Sequence, residues 1–221
     1  MDLHTLKVDS VQLEFDGRKI LQDVYLNCSQ GRIIGLLGRN GSGKSSLLKI
    51  IFGILTPGYK YVAINDEFIS KGYHNKRIAY LPQQNYLPDN IKISELAKIL
   101  IDKLSWDEFT ELPIYKDHYK KTAGQLSGGE LRKLETMMVV FSKADFILLD
   151  EPFTHISPIQ TEELKPILKR CASRKGIIIT DHQYYNVLDV SDQIVLLNNG
   201  CTKHIKNVDE LITYGYISTI N

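Results

Sequence analysis

The chain has 221 residues, 43% of them apolar and 24% charged, with a formal net charge of +1. A chain of that length buries one good-sized core, and its composition excludes disordered, collagen-like and fibrous classes. A charge this close to neutral gives no electrostatic reason to expect nucleic acid as a partner.

The N-terminal MDLHTLKVDS shows no basic-then-apolar signal pattern. The best apolar runs, Ile50–Leu55 and Met137–Phe141, fall far short of the roughly 20 residues that cross a bilayer. The expectation is a cytoplasmic protein. Strand-like runs then follow in order at Val11–Phe15, Val24–Asn27, Arg32–Leu37, Tyr61–Ile64, Arg77–Leu81, Asp145–Leu149, Gly176–Thr180 and Gln193–Leu197. Several are continuously apolar (IIGLL, FILL, GIII), which suits central strands covered on both faces. Helical patterns occupy Lys44–Phe52, stopped by Gly53, then Leu131–Ser142, Ile159–Cys171 and His182–Asp189. A last helix begins at Val208, with Asn207 and Glu210 spaced as a capping box. Between Pro88 and Leu126 the pattern changes to two short helices, one capped at Ser94 and one at Ser105 with Glu108, and no clear strand. That stretch is expected to be a helical lobe inserted into an α/β core. Cys28, Cys171 and Cys201 form no CxxC pair and read as reduced, mostly buried thiols.

After the strand at Ile33–Leu37 comes Gly38-Arg39-Asn40-Gly41-Ser42-Gly43-Lys44-Ser45, a full GxxxxGK[ST] match. Its glycines let successive backbone N–H groups converge on phosphate oxygens, and the following helix adds the positive end of its dipole. Lys44 can reach the β- and γ-phosphates and the Ser45 hydroxyl can ligate Mg²⁺, with Ser46 completing the nucleotide-facing run. The apolar strand Phe146–Leu149 ends in Asp150-Glu151, which places one carboxylate on the metal and one beside it as general base. No NKxD-type guanine-reading motif follows, so ATP is the expected nucleotide. Leu126-Ser127-Gly128-Gly129-Glu130 reads as a helix start with Ser127 as cap, yet two adjacent glycines exceed what a cap needs. Free N–H groups there form a second anion site, which suggests a nucleotide shared between two chains.

With these segments in this order the chain resembles the ATP-binding cassette family, whose signature is LSGGQ or LSGGE. The resemblance covers nearly the whole chain. It implies a single α/β domain: a P-loop core over residues 1–87 and 143–221, mostly parallel with an N-terminal antiparallel β-subdomain, and a helical lobe over 88–142. It also implies that Phe15 stacks on adenine and that Gln83, in Tyr80-Leu81-Pro82-Gln83, touches Mg²⁺ and the attacking water. In the same way it makes His182, ending Ile179-Thr180-Asp181-His182, the γ-phosphate switch. The nucleotide would lie between one chain's Gly38–Ser46 and the other's Ser127, Gly128, Gly129 and Glu130 in a head-to-tail dimer. Separate permease chains would hold that dimer at the inner face of the membrane. Runs such as Glu151-Pro152-Phe153 resemble the lipopolysaccharide-export and branched-chain amino-acid branch. A soluble cassette of the iron–sulfur assembly type shares every motif and is the alternative. Gln84, Tyr86, Leu87 and Pro88 are expected to offer a surface for the permease.

Three positions depart from the family pattern: Arg39 stands where Pro is usual, Lys133 where Arg is common, and Ser157 where the D-loop carries Asp. Ser157 is still a good helix cap, and Pro158 suits the first helical position.

Overall fold

In the computed structural model, which describes residues 4–217, two sheets face each other across helix α1 (Lys44–Phe52). The first is antiparallel. β1 (Thr5–Phe15) pairs with β2 (Arg18–Leu21), β3 (Tyr25–Ser29) and β5 (Tyr59–Ile64), and β5 pairs with β6 (Glu67–Phe68). The second sheet runs β11-β10-β4-β9-β8-β7, with β4 (Ile33–Leu37), β7 (Ile78–Leu81), β8 (Phe146–Asp150), β9 (Gly176–Thr180) and β10 (Gln193–Asn198) all parallel. Only β11 (Cys201–Ile205) runs antiparallel, as the return of a hairpin from β10.

The continuous apolar runs have a simple cause. Successive strand residues point to opposite faces, and both faces are covered. Leu37, Ile147, Leu149, Ile177 and Ile179 enter the core under the helical lobe. Ile34, Leu36, Leu148, Ile178 and Val195 enter the core shared with α1 and the antiparallel sheet.

The remaining helices are α2 (Ile93–Leu100), α3 (Trp106–Thr110), α4 (Pro113–Lys116), α5 (Gly128–Val140), α6 (Pro158–Ala172), α7 (Tyr184–Val190) and α8 (Val208–Thr213). α2 to α5 share one apolar core with the parallel sheet rather than owning one, through Ile93, Leu96, Phe109, Leu134 and Met137. Two caps differ from the sequence reading. α2 begins at Ile93, and Ser94 does not cap it, because the Lys121 and Tyr119 carbonyls accept the N–H groups of Ile93 (2.9 Å) and Ser94 (3.0 Å). Ser105 precedes α3 without a side-chain cap, and Glu108 is drawn away to Arg170 (2.7 Å) and Arg174 (2.8 Å). His182 lies before α7 rather than inside it. Among the described residues no helix is long and apolar enough to cross a membrane.

Candidate functional site

The parallel strands deliver the motif residues to one edge. β4 ends in the Gly38–Ser45 loop, β7 leads to Gln83, β8 ends at Asp150-Glu151, and β9 leads to Asp181-His182. Ligands of open parallel sheets bind at this carboxyl edge. The cavity there has a volume of about 360 Å³ and is lined by Phe15, Asn40 to Ser46, Gln83, Glu151 and His182. Gly38 is not among the lining residues, and Arg39 lines a neighbouring cavity, where it donates to the Gly215 carbonyl (2.6 Å).

Backbone demands account for the loop's glycines. Gly43 caps α1 with φ +103°, a conformation that side-chain-bearing residues rarely adopt. A Cβ on Gly38 would meet the Ser42 hydroxyl at 2.6 Å and the Leu197 carbonyl at 2.7 Å. The Lys44 ammonium donates to the Gly38 (2.6 Å) and Arg39 (3.2 Å) carbonyls. Burial lowers its pKa, against the opposing pull of Glu151, Asp150 and Asp181.

Asp150 is fully buried, and both of its oxygens are engaged. Ser45 donates its hydroxyl to Oδ1 (3.0 Å) and Tyr80 donates to Oδ2 (2.9 Å). Burial raises its pKa despite those bonds. Next to it, Glu151 adopts φ +58°, its N–H donating to the Thr180 carbonyl (2.8 Å). Its carboxylate Oε1 lies 2.6 Å from His182 Nε2, and Thr154 donates to Oε2 (3.3 Å). Asp181 ties the two loops together, accepting from the Phe153 N–H (2.8 Å) and the Gln183 N–H (3.0 Å). Burial raises its pKa as well.

Ser127, Gly128, Gly129 and Glu130 do not line this cavity. They form the start of α5, where a full capping box holds: Ser127 Oγ accepts from the Glu130 N–H, and Glu130 Oε2 accepts from the Ser127 N–H (2.8 Å) and hydroxyl (2.7 Å). Those hydrogen bonds hold the Glu130 carboxyl below the usual range, with His118 and Lys121 assisting. The two glycines differ. Space around Gly128 is open, whereas a Cβ on Gly129 would meet the His155 carbonyl at 2.9 Å. Ser157 caps α6 as expected, with Gln160 completing the box and Pro158 in the first turn.

Sequence reasoning missed Arg132, Glu135 and Tyr80. All of Leu131 to Val140 is buried, so charges on α5 must find partners. Lys133 pairs with Glu163. Arg132, 2% exposed, donates to the Pro82 (2.7 Å), Asp150 and Glu151 (3.0 Å) carbonyls. Glu135, fully buried, accepts from the N–H groups of Tyr86 (2.7 Å) and Leu87 (3.1 Å). Leu87 is buried, whereas Tyr86 is half-buried and lines the groove between the helices and the core, and Gln84 and Pro88 are exposed, so of the four residues expected to face a partner only Leu87 is withdrawn into the core. In the sequence Arg132, Lys133, Glu135 and Thr136 read as an ordinary polar face, so nothing local marks them as buried.

The chain matches the model of the ABC transporter family over residues 21–154. It is 32% identical over 211 residues to the lipopolysaccharide export system ATP-binding protein of Escherichia coli K12, covering 89% of this chain and 88% of that protein. The corresponding protein of Haemophilus influenzae is 30% identical over 210 residues, covering 88% and 87%. Among solved structures, an ATP-binding subunit of an ABC transporter superposes with a TM-score of 0.80 at 20% identity, covering 97% of this chain and 95% of that one. That likeness is one of fold.

Proposed function

Because the chain belongs to the ABC transporter family, as an ATP-binding subunit, we propose that it is the Mg²⁺-dependent ATPase of a transporter whose membrane-crossing chains are separate, and that it works as a head-to-tail dimer. Nothing in the comparisons favours the soluble iron–sulfur assembly alternative. The observation that carries the reading is the convergence of Lys44, Ser45, Gln83, Glu151 and His182 on one cavity, while the signature glycines stay exposed or half-exposed elsewhere on the chain. A site whose second half faces outward fits completion by a partner copy.

The residues suit the expected ligands. The Ser45 hydroxyl and Asp150 carboxylate are hard oxygen donors 3.0 Å apart, the kind Mg²⁺ takes. The buried hydroxyl of Ser42, which lines the cavity, has no hydrogen-bond partner among the described residues, as expected of a group that completes its bonding with a ligand or its water shell. Mg²⁺ held by Ser45, Asp150 and the Gln83 amide would neutralise charge on the β- and γ-phosphates.

The chain's own residues account for the rest. Phe15, 49% exposed at the cavity rim, supplies a flat apolar face for adenine. Lys44 exchanges its two loop carbonyls for phosphate oxygens, a charge-assisted contact about twice as strong as a neutral one. Glu151 accepts the proton of the attacking water, and His182 orients that carboxylate and meets the γ-phosphate. The partner's Ser127–Glu130 segment, at a helix N-terminus, closes over the phosphate and excludes bulk water.

Residues 88–142 then act as the lobe that moves with the nucleotide. The permease docks in the groove of about 660 Å³ between lobe and core, lined by Tyr73, Ile99, Lys103, Met138 and Val139. Ile99, 74% exposed, is an apolar side chain on that surface. The subunit would thereby sit at the inner face of the cell membrane. Steady-state phosphate release from the purified chain tests the enzyme reading. It expects ATP- and Mg²⁺-dependent turnover that Lys44→Ala abolishes, and turnover surviving that change would overturn it.

A further inference from the structure

We propose that Arg132 is the positioning residue for the Glu151 base, holding it and the loop around Gln83 (the Q-loop) in register with the signature helix. Glu151 has φ +58°, a conformation that is unfavourable for a residue with a Cβ and needs the surroundings to fix it. Two contacts do so. On the amide side, its N–H donates to the Thr180 carbonyl (2.8 Å). On the carbonyl side, Arg132 grips it twice, through Nε (3.2 Å) and Nη2 (3.0 Å), and Nη2 also donates to the Asp150 carbonyl. The peptide planes on either side of Glu151 are therefore set by β9 and by α5. With both planes fixed, the carboxylate is aimed at His182.

The same guanidinium reaches the Q-loop. Arg132 Nη1 donates to the Pro82 carbonyl (2.7 Å), immediately before Gln83. Its ion-pair partner Glu135 (3.6 Å) accepts from the N–H groups of Tyr86 and Leu87 on the loop's other side. Both flanks of Gln83 and the backbone of the base thus hang from one helix, the helix that begins with Ser127-Gly128-Gly129. Movement of α5 when the partner's nucleotide engages its N-terminus would shift Gln83 and Glu151 together. Only a planar fork of five N–H donors serves three carbonyls from two segments at once, so lysine cannot replace it.

Arg132 acts in this way only if Glu151 is the base proposed above, and the test separates the two. Arg132→Lys keeps the charge and loses the fork. Its predicted signature is a kcat for phosphate release at least tenfold lower with KM for ATP changed less than threefold. An ATP-trapped dimer should also accumulate on size exclusion in the presence of the wild-type Glu151. The double variant Arg132→Gln with Glu135→Gln removes the pair without stranding a charge, and the same signature is expected if Arg132→Lys does not fold. Wild-type turnover in a folded Arg132 variant, alongside an inactive Glu151→Gln, overturns the positioning role and leaves the base intact. Lost nucleotide binding, or failure of both variants to fold, also overturns it, making Arg132 a packing residue. Full turnover in Glu151→Gln removes the base itself.

Discussion

At the scale of single residues, the contiguous motifs were legible directly, Phe15, Gln83 and His182 came from the family resemblance, and the side chains that brace the cavity from elsewhere in the chain were not legible. Gly38–Ser45, Asp150-Glu151 and Ser127–Glu130 announce themselves because a phosphate cradle, a metal strand end and a capped helix start each need adjacent residues. Arg132 reaches carbonyls 18 and 50 positions away, and no local pattern encodes that. The structure also divides labour between two glycines that look identical in sequence. Gly128 has open space, and Gly129 makes room for the His155 carbonyl of the D-loop. Gly129→Ala should therefore lower the melting temperature of the isolated chain, whereas Gly128→Ala leaves it unchanged and weakens ATP-driven dimer formation. Equal thermal effects of the two would contradict this division. Replacing the proposed base is the sharper change. Glu151→Gln should slow phosphate release by about 10²–10⁴-fold, the range a general base contributes, with ATP binding retained.

At the scale of elements, the long apolar strands and helices were readable from periodicity, and the omissions have two physical origins. β2, β6 and β11 are the short return strands of hairpins, with few buried residues to make a pattern. Their turns carried the signal instead. Asp16-Gly17, Asn65-Asp66 and Asn199-Gly200 all have positive φ at both positions, the two-residue turn that matches strand twist. The first half of β1 escaped for another reason. Its alternation slips at Ser10 (φ +53°), so Leu6 and Val8 are out of phase with Val11 and Leu13. The cap of α5 gives a test by pH. Glu130 has a lowered pKa, chiefly from the Ser127 hydrogen bonds. Its contribution to stability is therefore present above the ordinary glutamate value and is lost as pH falls through the lowered one. Urea unfolding across that acid window should show a steeper loss for wild type than for Glu130→Gln, which cannot titrate there. Parallel slopes would remove the cap as a source. At neutral pH, Ser127→Ala should cost about 1 kcal/mol.

At the scale of the whole molecule, one chain carries two helix starts proposed to bind phosphate that it does not bring together, and the proposed dimerisation through ATP would use both. Ser157 bears on how tightly the two sites would then communicate. It caps α6 through the Gln160 N–H (3.3 Å), so the path of the D-loop survives without the acidic residue common in the family. In the proposed dimer the missing carboxylate would remove a charge-assisted contact to the partner, on the order of 1 kcal/mol of coupling. Ser157→Asp should raise the Hill coefficient for ATP toward two, and an unchanged coefficient would show that this loop does not carry the coupling. Ile99→Ser, on the groove between lobe and core, should leave basal ATPase unchanged and reduce stimulation by the permease. The most direct test of the shared site is sedimentation velocity on Glu151→Gln with Mg-ATP, with Mg-ADP, and with Ser127→Arg added. The account predicts a dimer with Mg-ATP alone and a monomer in the other two conditions. A Glu151→Gln chain that binds ATP yet remains monomeric at every concentration would contradict it.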